Sequence, residues 1–333
     1  MKAVFFAEHG GVDRLIGGDF PTPVPGPGEI RVRVKACGLN RLDVLLRQGT
    51  PGLAVPLPHV LGADVAGVTD DGRRVLVAPG LSCGACPACA AQQDHLCDRY
   101  DILGQSANGG YAEFVTVPER NLLSLPDTIP FEEAAAFPLV FMTAWHGLVG
   151  LAGLKPGETV LVHAAGSGVG TAAIQIARAR GARVLTTVGA PWKKERAAAL
   201  GAERIVLRTE ENLPEAVRDW TEGRGVDVVL DTVGQSTFAL DLLCLRRGGR
   251  LVALGATAGR ETTFDLRALF GKNITVFGVR MAPRHALDAV FELFKTGRLK
   301  PVLDRVFPLA EAAQAQAHLQ ENKNFGKIVL TVS

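Results

Sequence analysis

Val160-Leu161-Val162-His163-Ala164 leads into Ala165-Gly166-Ser167-Gly168-Val169-Gly170, and residues 171–179 then follow at helical spacing. A short apolar run, a turn of small residues and a helix make the first βα step of a doubly wound sheet. Downstream the alternation continues. Strands are expected at 183–188, 204–207, 226–231, 250–255 and 273–279, with helices at 195–200, 213–220 and 237–245 between them. Six strands separated by helices of this length specify an α/β fold, a parallel sheet covered on both faces.

The flanks have another texture. Residues 29–36 alternate polar and apolar, which suits a strand with one solvated face, after a breaker-rich loop carrying Pro21, Pro23, Pro25 and Pro27. Short strands are expected at 65–68, 74–77 and 111–117, and past Pro283 a helix (286–295), a strand, a helix (309–320) and a last strand (327–332). The texture changes after about residue 125, and the tail past Pro283 has room to return to the first domain, which periodicity alone does not show. No interval of 20 to 50 residues repeats, which excludes a solenoid.

Composition agrees. The 333 residues suggest about two domains, and 47% hydrophobic with 21% charged excludes disorder as the main state. Thirty-six Lys and Arg against 34 Asp and Glu leave +2, with no broad footprint for nucleic acid or an anionic membrane. The apolar start, residues 1–7, is broken by Glu8 and is too short for a signal-peptide core. The uncharged stretch 134–154 holds Pro138, Gly147, Gly150 and Gly153, so it reads as buried core rather than a membrane span. A cytoplasmic protein is expected.

The glycine turn lies between a strand and a helix, where a dinucleotide fingerprint belongs. There the backbone N–H groups at the helix start meet pyrophosphate. Read strictly the motif is imperfect, since Ala165 and Ser167 stand at the first and third glycine positions. At the end of the second strand an NAD site places an acid on the ribose 2′-OH. Here Thr186-Thr187-Val188-Gly189-Ala190 has none, and Lys193 and Lys194 follow. That points to a 2′-phosphate and to NADPH rather than NADH, with Lys193 and Arg208 near it. A solvated helix face is the competing reading of the lysines. The expected cofactor contacts are Ser167, Gly168, Val169, Gly170, Gly189, Lys193, Arg208, Gly255, Phe277, Val279 and Lys327.

Cys83, Cys86, Cys89 and Cys97 fall within fifteen residues at metal-ligand spacing. Four thiolates close a tetrahedral zinc shell and leave no open position, so one structural zinc is expected in a loop at 80–100. An unmetallated or oxidised loop is the alternative.

Together these pieces resemble the medium-chain dehydrogenase/reductase superfamily, which contains zinc alcohol dehydrogenases and zinc-free quinone oxidoreductases. The markers are Pro25-Gly26-Pro27-Gly28-Glu29, Gly38-Leu39-Asn40-Arg41-Leu42-Asp43, residues Leu61-Gly62-Ala63-Asp64-Val65-Ala66-Gly67, Gly109-Gly110-Tyr111-Ala112-Glu113, Thr143-Ala144-Trp145 and Gly326-Lys327-Ile328-Val329-Leu330. The resemblance implies a Rossmann-type dinucleotide-binding domain at 126–283, plus a β-rich GroES-like catalytic domain built from both chain ends, 1–125 with 284–333, with the active site in the cleft between domains. It also shows departures. The family's catalytic-zinc segment Cys-Gly-x-Cys-His-Thr-Asp is here Cys37-Gly38-Leu39-Asn40-Arg41-Leu42-Asp43, so Asn40 stands at the ligand position. The family's His-Glu pair is Ala63-Asp64, and its third ligand is Leu139.

The implied activity is hydride transfer from NADPH to a quinone or an α,β-unsaturated carbonyl compound without a catalytic metal. Asn40 would donate to the acceptor oxygen, Thr143 would lie against the nicotinamide, and Phe277 to Val279 would contact its amide. Asp43 and Asp64 read as structural carboxylates, because nothing in the sequence shows burial that would raise their pKa. His59 reads as a surface or hydrogen-bonded residue, with a displaced zinc ligand beside Cys37 and Asp64 as the alternative, and His163 reads as packed or backbone-bonded. Tyr111 and Arg47 suit structural roles as well as carbonyl polarisation. Two alternatives remain: a zinc-dependent alcohol dehydrogenase with unusual ligands, and an NADPH-binding protein without turnover. The apolar edge of the sixth strand, with the family's habit of joining such edges, implies a homodimer or homotetramer.

Overall fold

Six parallel strands lie in the order Arg204–Leu207, Arg183–Val188, Thr159–Val162, Val226–Asp231, Leu245–Ala253 and Thr275–Gly278. The chain enters in the middle, runs outward through two strands, then returns to fill the other side. That is the doubly wound order, and it makes a switch point beside Thr159–Val162 where ligands bind in such sheets. Leu161, Leu185, Val206, Val229 and Leu251 pack against Leu213, Val217 and Leu242 from the helices. Burial on both faces explains why these strands read as continuous apolar runs.

Two strands of this sheet differ from expectation. The strand expected to start at 250 begins at Leu245, because Leu245 pairs with Val226 and a register shift absorbs the intervening residues, where Gly248 takes a positive φ of 69°. The sixth strand is shorter than 273–279, because Asn273 sits in the left-handed region with φ 53°.

The computed structural model describes residues 1–53 and 55–333. They form two units: Met1–Val140 with Pro283–Ser333, and Phe141–Ala282, which holds the parallel sheet. In the first unit the ten-residue strand Glu29–Gly38 pairs antiparallel with Phe114–Pro118, with Asp64–Thr69 and, near its end, with the C-terminal strand Lys327–Thr331. The sheet continues through Arg74–Val77 and Leu122–Ser124 on one side and Leu303–Pro308 on the other. The tail of the chain therefore completes the N-terminal sheet, and Val329 lies opposite Gly38. The helix Phe131–Ala135 packs on this sheet so closely that a Cβ on Gly38 would run into the Ala135 carbonyl oxygen.

The uncharged stretch 134–154 forms helices Phe131–Ala135 and Pro138–Trp145 and a π-helical turn, His146–Leu151. Ala134, Phe137, Phe141, Met142 and Leu148 are buried, as expected for core. Among the described residues no helix is long and apolar enough to cross a membrane.

Candidate active site

Asn40 lies two residues past the strand Glu29–Gly38 and is the N-cap of the helix Arg41–Gln48, so strand end and helix start together fix its position. Its Nδ2 donates to Asp64 Oδ2 at 2.9 Å, and its Oδ1 accepts from Lys327 Nζ at 2.8 Å. Lys327 also donates to Asp64 Oδ2 at 2.8 Å and to the Leu39 carbonyl at 2.6 Å. The other Asp64 oxygen accepts the Leu139 N–H at 2.9 Å. Asp64 is fully buried and Lys327 is 4% exposed. An ammonium can only donate and a carboxylate only accept, so the Asn40 amide has one orientation. All three Lys327 protons are engaged, while Asn40 keeps a second N–H. Lys327, expected among the cofactor contacts, is thus bonded to Asn40, at a zinc-ligand position of the family, and to Asp64, at the Glu of its His-Glu pair.

Beneath this network Asp43 Oδ2 accepts from the Asn40 N–H at 2.8 Å and from the Tyr111 hydroxyl at 3.0 Å. Burial pushes Asp43 up to about 6, against the lowering effect of the Asn40 N–H, Lys327 and Tyr111. The sequence carried no sign of this burial. A carboxyl whose pKa rises on folding favours the folded state at low pH, and that contribution is lost as pH rises from about 3.8 through about 6. Relative to Asp43→Asn, the wild type should therefore lose up to about 3 kcal/mol of stability between pH 4 and pH 8. Urea unfolding of both proteins at several pH values checks this, and a constant difference would contradict it.

In the second unit Ser167 caps the helix Gly168–Ala179, its Oγ accepting from the Gly170 N–H at 2.9 Å. Among the described residues no acceptor meets the N–H groups of Gly168 and Val169. They are free donors at the positive end of a helix. A Cβ on Gly170 would run into the Ala164 carbonyl oxygen, so glycine is required for the turn to pack. A Cβ on Gly189 would lie 3.0 Å from Arg208 Nη2, so that guanidinium stands at the end of the second strand. Lys193 lies over the Trp192 ring at 5.0 Å, and Lys194 pairs with Glu211 at 3.8 Å. Gly255 approaches the Thr232 carbonyl closely, and the Val279 N–H donates to the Ala253 carbonyl at 2.9 Å. Phe277 lies in the edge strand, and Thr143 is buried in the helix Pro138–Trp145.

The cysteine loop is tied down by Asn121, which donates to the Ala78 and Gly80 carbonyls, and by Asp94, which accepts the Arg284 N–H. The sulfurs of Cys83, Cys86, Cys89 and Cys97 lie within 4.8 Å of one another, with Cys83–Cys89 at 3.8 Å and Cys86–Cys89 at 3.5 Å. Four sulfurs around zinc at about 2.3 Å stand about 3.8 Å apart, so the cluster fits a structural zinc. The N–H groups of Ala85 and Cys86 draw the Cys83 thiol down to about 5. A thiolate is the form that binds metal.

Other residues resolve into support. Arg47 is buried and donates to Gln316 at 2.8 Å and to Gln320 at 3.1 Å, and Tyr111 serves Asp43. His59 is fully buried, with Nε2 2.9 Å from the Gly104 carbonyl oxygen, rather than at the surface. His163 is bonded to a side chain instead of backbone: its Nε2 lies 2.7 Å from Asp241 Oδ1. That pair joins residues 78 positions apart, which no local pattern could indicate.

Residues 26–127 match the family model described as alcohol dehydrogenase GroES-like domain, and residues 168–296 match that described as zinc-binding dehydrogenase. The chain is 32% identical over 341 residues to a quinone oxidoreductase of Pseudomonas aeruginosa, covering 99% of each chain. It superposes on a solved NAD-dependent alcohol dehydrogenase with a TM-score of 0.96, at 45% identity over the whole of both chains. It is also 36% identical over 310 residues to the polyketide synthase GfsB of Streptomyces halstedii, of whose length it spans 5%. Relatives that match from end to end at this identity, on top of a family model in each unit, leave one conclusion: the chain belongs to the medium-chain dehydrogenase/reductase superfamily, as an NAD(P)H-dependent oxidoreductase.

Proposed function

We propose that this protein transfers hydride from NADPH to quinones or α,β-unsaturated carbonyl compounds, with no metal at the reacting centre. The observation that carries the reading is the buried Asn40–Asp64–Lys327 network. A Lewis-acid zinc needs three ligands and an open position. Here Ala63 and Leu139 offer no donor, and Asp64 Oδ2 already accepts from an ammonium and an amide. These residues do not fit a catalytic zinc.

When bound, the nicotinamide cofactor supplies the hydride at C4. Within the turn Ser167–Gly170 the N–H groups of Gly168 and Val169 would meet its pyrophosphate, while those of Ser167 and Gly170 are spent on the Ala164 carbonyl and on Ser167 Oγ, and Arg208 and Lys193 would take the 2′-phosphate beside Gly189. Gly255, Phe277 and Val279 would border the nicotinamide end, and Thr143 would hold the ring. The second N–H of Asn40 donates to the acceptor oxygen as negative charge grows there. Lys327 adds positive potential while holding the amide in place. One preorganised donor is worth about 3 to 4 kcal/mol, less than a metal supplies, which suits acceptors that are already electron-poor. The quinone oxidoreductase relatives support this choice of acceptor.

The solved NAD-dependent alcohol dehydrogenase and the family model described as zinc-binding dehydrogenase favour a second reading, NAD- or zinc-dependent alcohol oxidation. Steady-state assays with 1,4-benzoquinone, an enone and simple alcohols, before and after chelation, separate the two. Reduction of quinone or enone that survives chelation is expected; metal-dependent alcohol turnover with inert quinones and enones would refute the proposal.

Arg208→Ala should weaken NADPH binding about 10- to 100-fold, the loss of charge-assisted bonds worth roughly 1.5–3 kcal/mol, and leave NADH nearly unaffected. Fluorescence titration with both cofactors measures this, and an unchanged NADPH/NADH ratio would count against the assignment. In the same unit the edge strand Thr275–Gly278 carries Val276 40% exposed, near the exposed Leu266 and Phe270. An apolar edge of this kind suits pairing with a second copy. Native mass spectrometry is expected to find an even number of chains with one zinc each. Monomers, or chains without zinc, would contradict the oligomer or the metal assignment respectively.

A further inference from the structure

The second unit carries a cavity of about 370 Å³ bordered by Pro214 and Val217 of the helix Leu213–Trp220 and by residues 243–247. It lies at the N-terminal ends of the strands Val226–Asp231 and Leu245–Ala253. The glycine turn follows the C-terminal end of Thr159–Val162, so the cavity is about one strand length, roughly 20 Å, from the cofactor turn.

Its lining includes Arg218, Arg224, Arg246, Arg247 and Lys272, and no carboxylate. Arg246 is neutralised by Asp227, with Nε 2.5 Å from Oδ1. Lys272 is held on carbonyls alone, donating to Leu242, Leu243 and Leu245 at 2.8–2.9 Å, and Arg247 donates to the Gly271 carbonyl at 2.7 Å. Among the described residues Arg218 and Arg224 have no ion pair or hydrogen bond from their side chains. Four cations thus share one cavity without a carboxylate of their own. Like charges in one concavity repel each other, and an anion relieves that repulsion.

The backbone is shaped for close approach as well. Gly223 and Gly225 have φ of 82° and 83°, and no atom stands within 4 Å of where a Gly223 Cβ would be. A Cβ on Gly225 would press on the backbone of Cys244 to Arg246. Cys244, in the wall, is pushed up to about 12 by burial and adds no negative charge.

We propose that this cavity binds a diphosphate group, either free pyrophosphate or the diphosphate of a nucleotide, separately from the cofactor. Planar guanidinium groups grip phosphate oxygens two at a time, and several of them around one cavity favour a polyanion over a single charge.

The test is isothermal titration of the full-length protein saturated with NADPH, so that the cofactor's phosphate sites are filled. Inorganic pyrophosphate and ADP are titrated in separate runs, with sodium sulfate as the control for ionic strength. Saturable binding of one pyrophosphate or one ADP per chain is expected, weakened at least about tenfold in the double variant Arg218→Gln/Arg224→Gln, about 1.4 kcal/mol. Both residues are exposed, so this variant should fold, and unchanged NADPH binding verifies that. Tighter ADP than pyrophosphate identifies a nucleotide as the source, and the reverse identifies free diphosphate. Absence of saturable heat with both, sulfate binding equally well, or an affinity indifferent to the double variant would each overturn the proposal.

Discussion

Lys327→Met is expected to destabilise the protein by about 3–5 kcal/mol, the usual cost of removing one partner of a buried ion pair. Methionine keeps much of the stem volume but leaves the fully buried Asp64 with two N–H donors and no cation, and strips the Leu39 carbonyl of its donor. At about 2–4 °C per kcal/mol for a unit of this size, the melting temperature should fall by roughly 10 °C. Adding Asp64→Asn removes the stranded charge and should restore a large part of the loss. A single variant within about 1 kcal/mol of wild type would show that the pair contributes little. Kinetics separate two roles for this lysine. If it positions Asn40, kcat falls while the KM for NADPH holds; if it contacts the cofactor, that KM rises.

Asn40→Ala is expected to lower kcat by about 10²- to 10³-fold, the effect of deleting one preorganised donor to a developing oxyanion. The KM for quinone should change far less, because the bond strengthens as charge builds in the transition state. Asn40 also precedes a helix, so Asn40→Ser serves as the control. Serine suits a helix start, yet its hydroxyl is too short to reproduce the amide's reach. Equal losses of kcat in both variants, with the melting temperature kept in Asn40→Ser, would mark the amide as the acting group. A kcat within about threefold of wild type in Asn40→Ala would remove it from the mechanism.

Much of this architecture was legible along the chain because its causes are local. The run Val160–Val162, the small-residue turn and the helical spacing after it depend on neighbours a few residues apart. Cys83, Cys86, Cys89 and Cys97 were legible for the same reason: ligands within one fifteen-residue window reveal themselves by spacing alone, and their sulfurs do cluster. The loss of zinc donors at Asn40, Ala63 and Leu139 could be read position by position from the family pattern.

What the sequence could not convey has long-range causes. Lys327 reaches Asn40 across 287 positions, because the last strand pairs with Glu29–Gly38, and sheet pairing between distant segments leaves no local trace. The burial that lifts Asp43 to about 6 comes from packing around it, and its own sequence neighbours do not show that packing. The arginines at 218, 224, 246 and 247 look like scattered surface charges until the strand order brings the segments that carry them to one end of the sheet. The sequence by itself therefore determined the parallel sheet, the cysteine cluster and the missing zinc ligands. The tertiary structure alone decided which cation stands against Asp64 and which positive charges share a cavity, because both depend on which distant strands become neighbours.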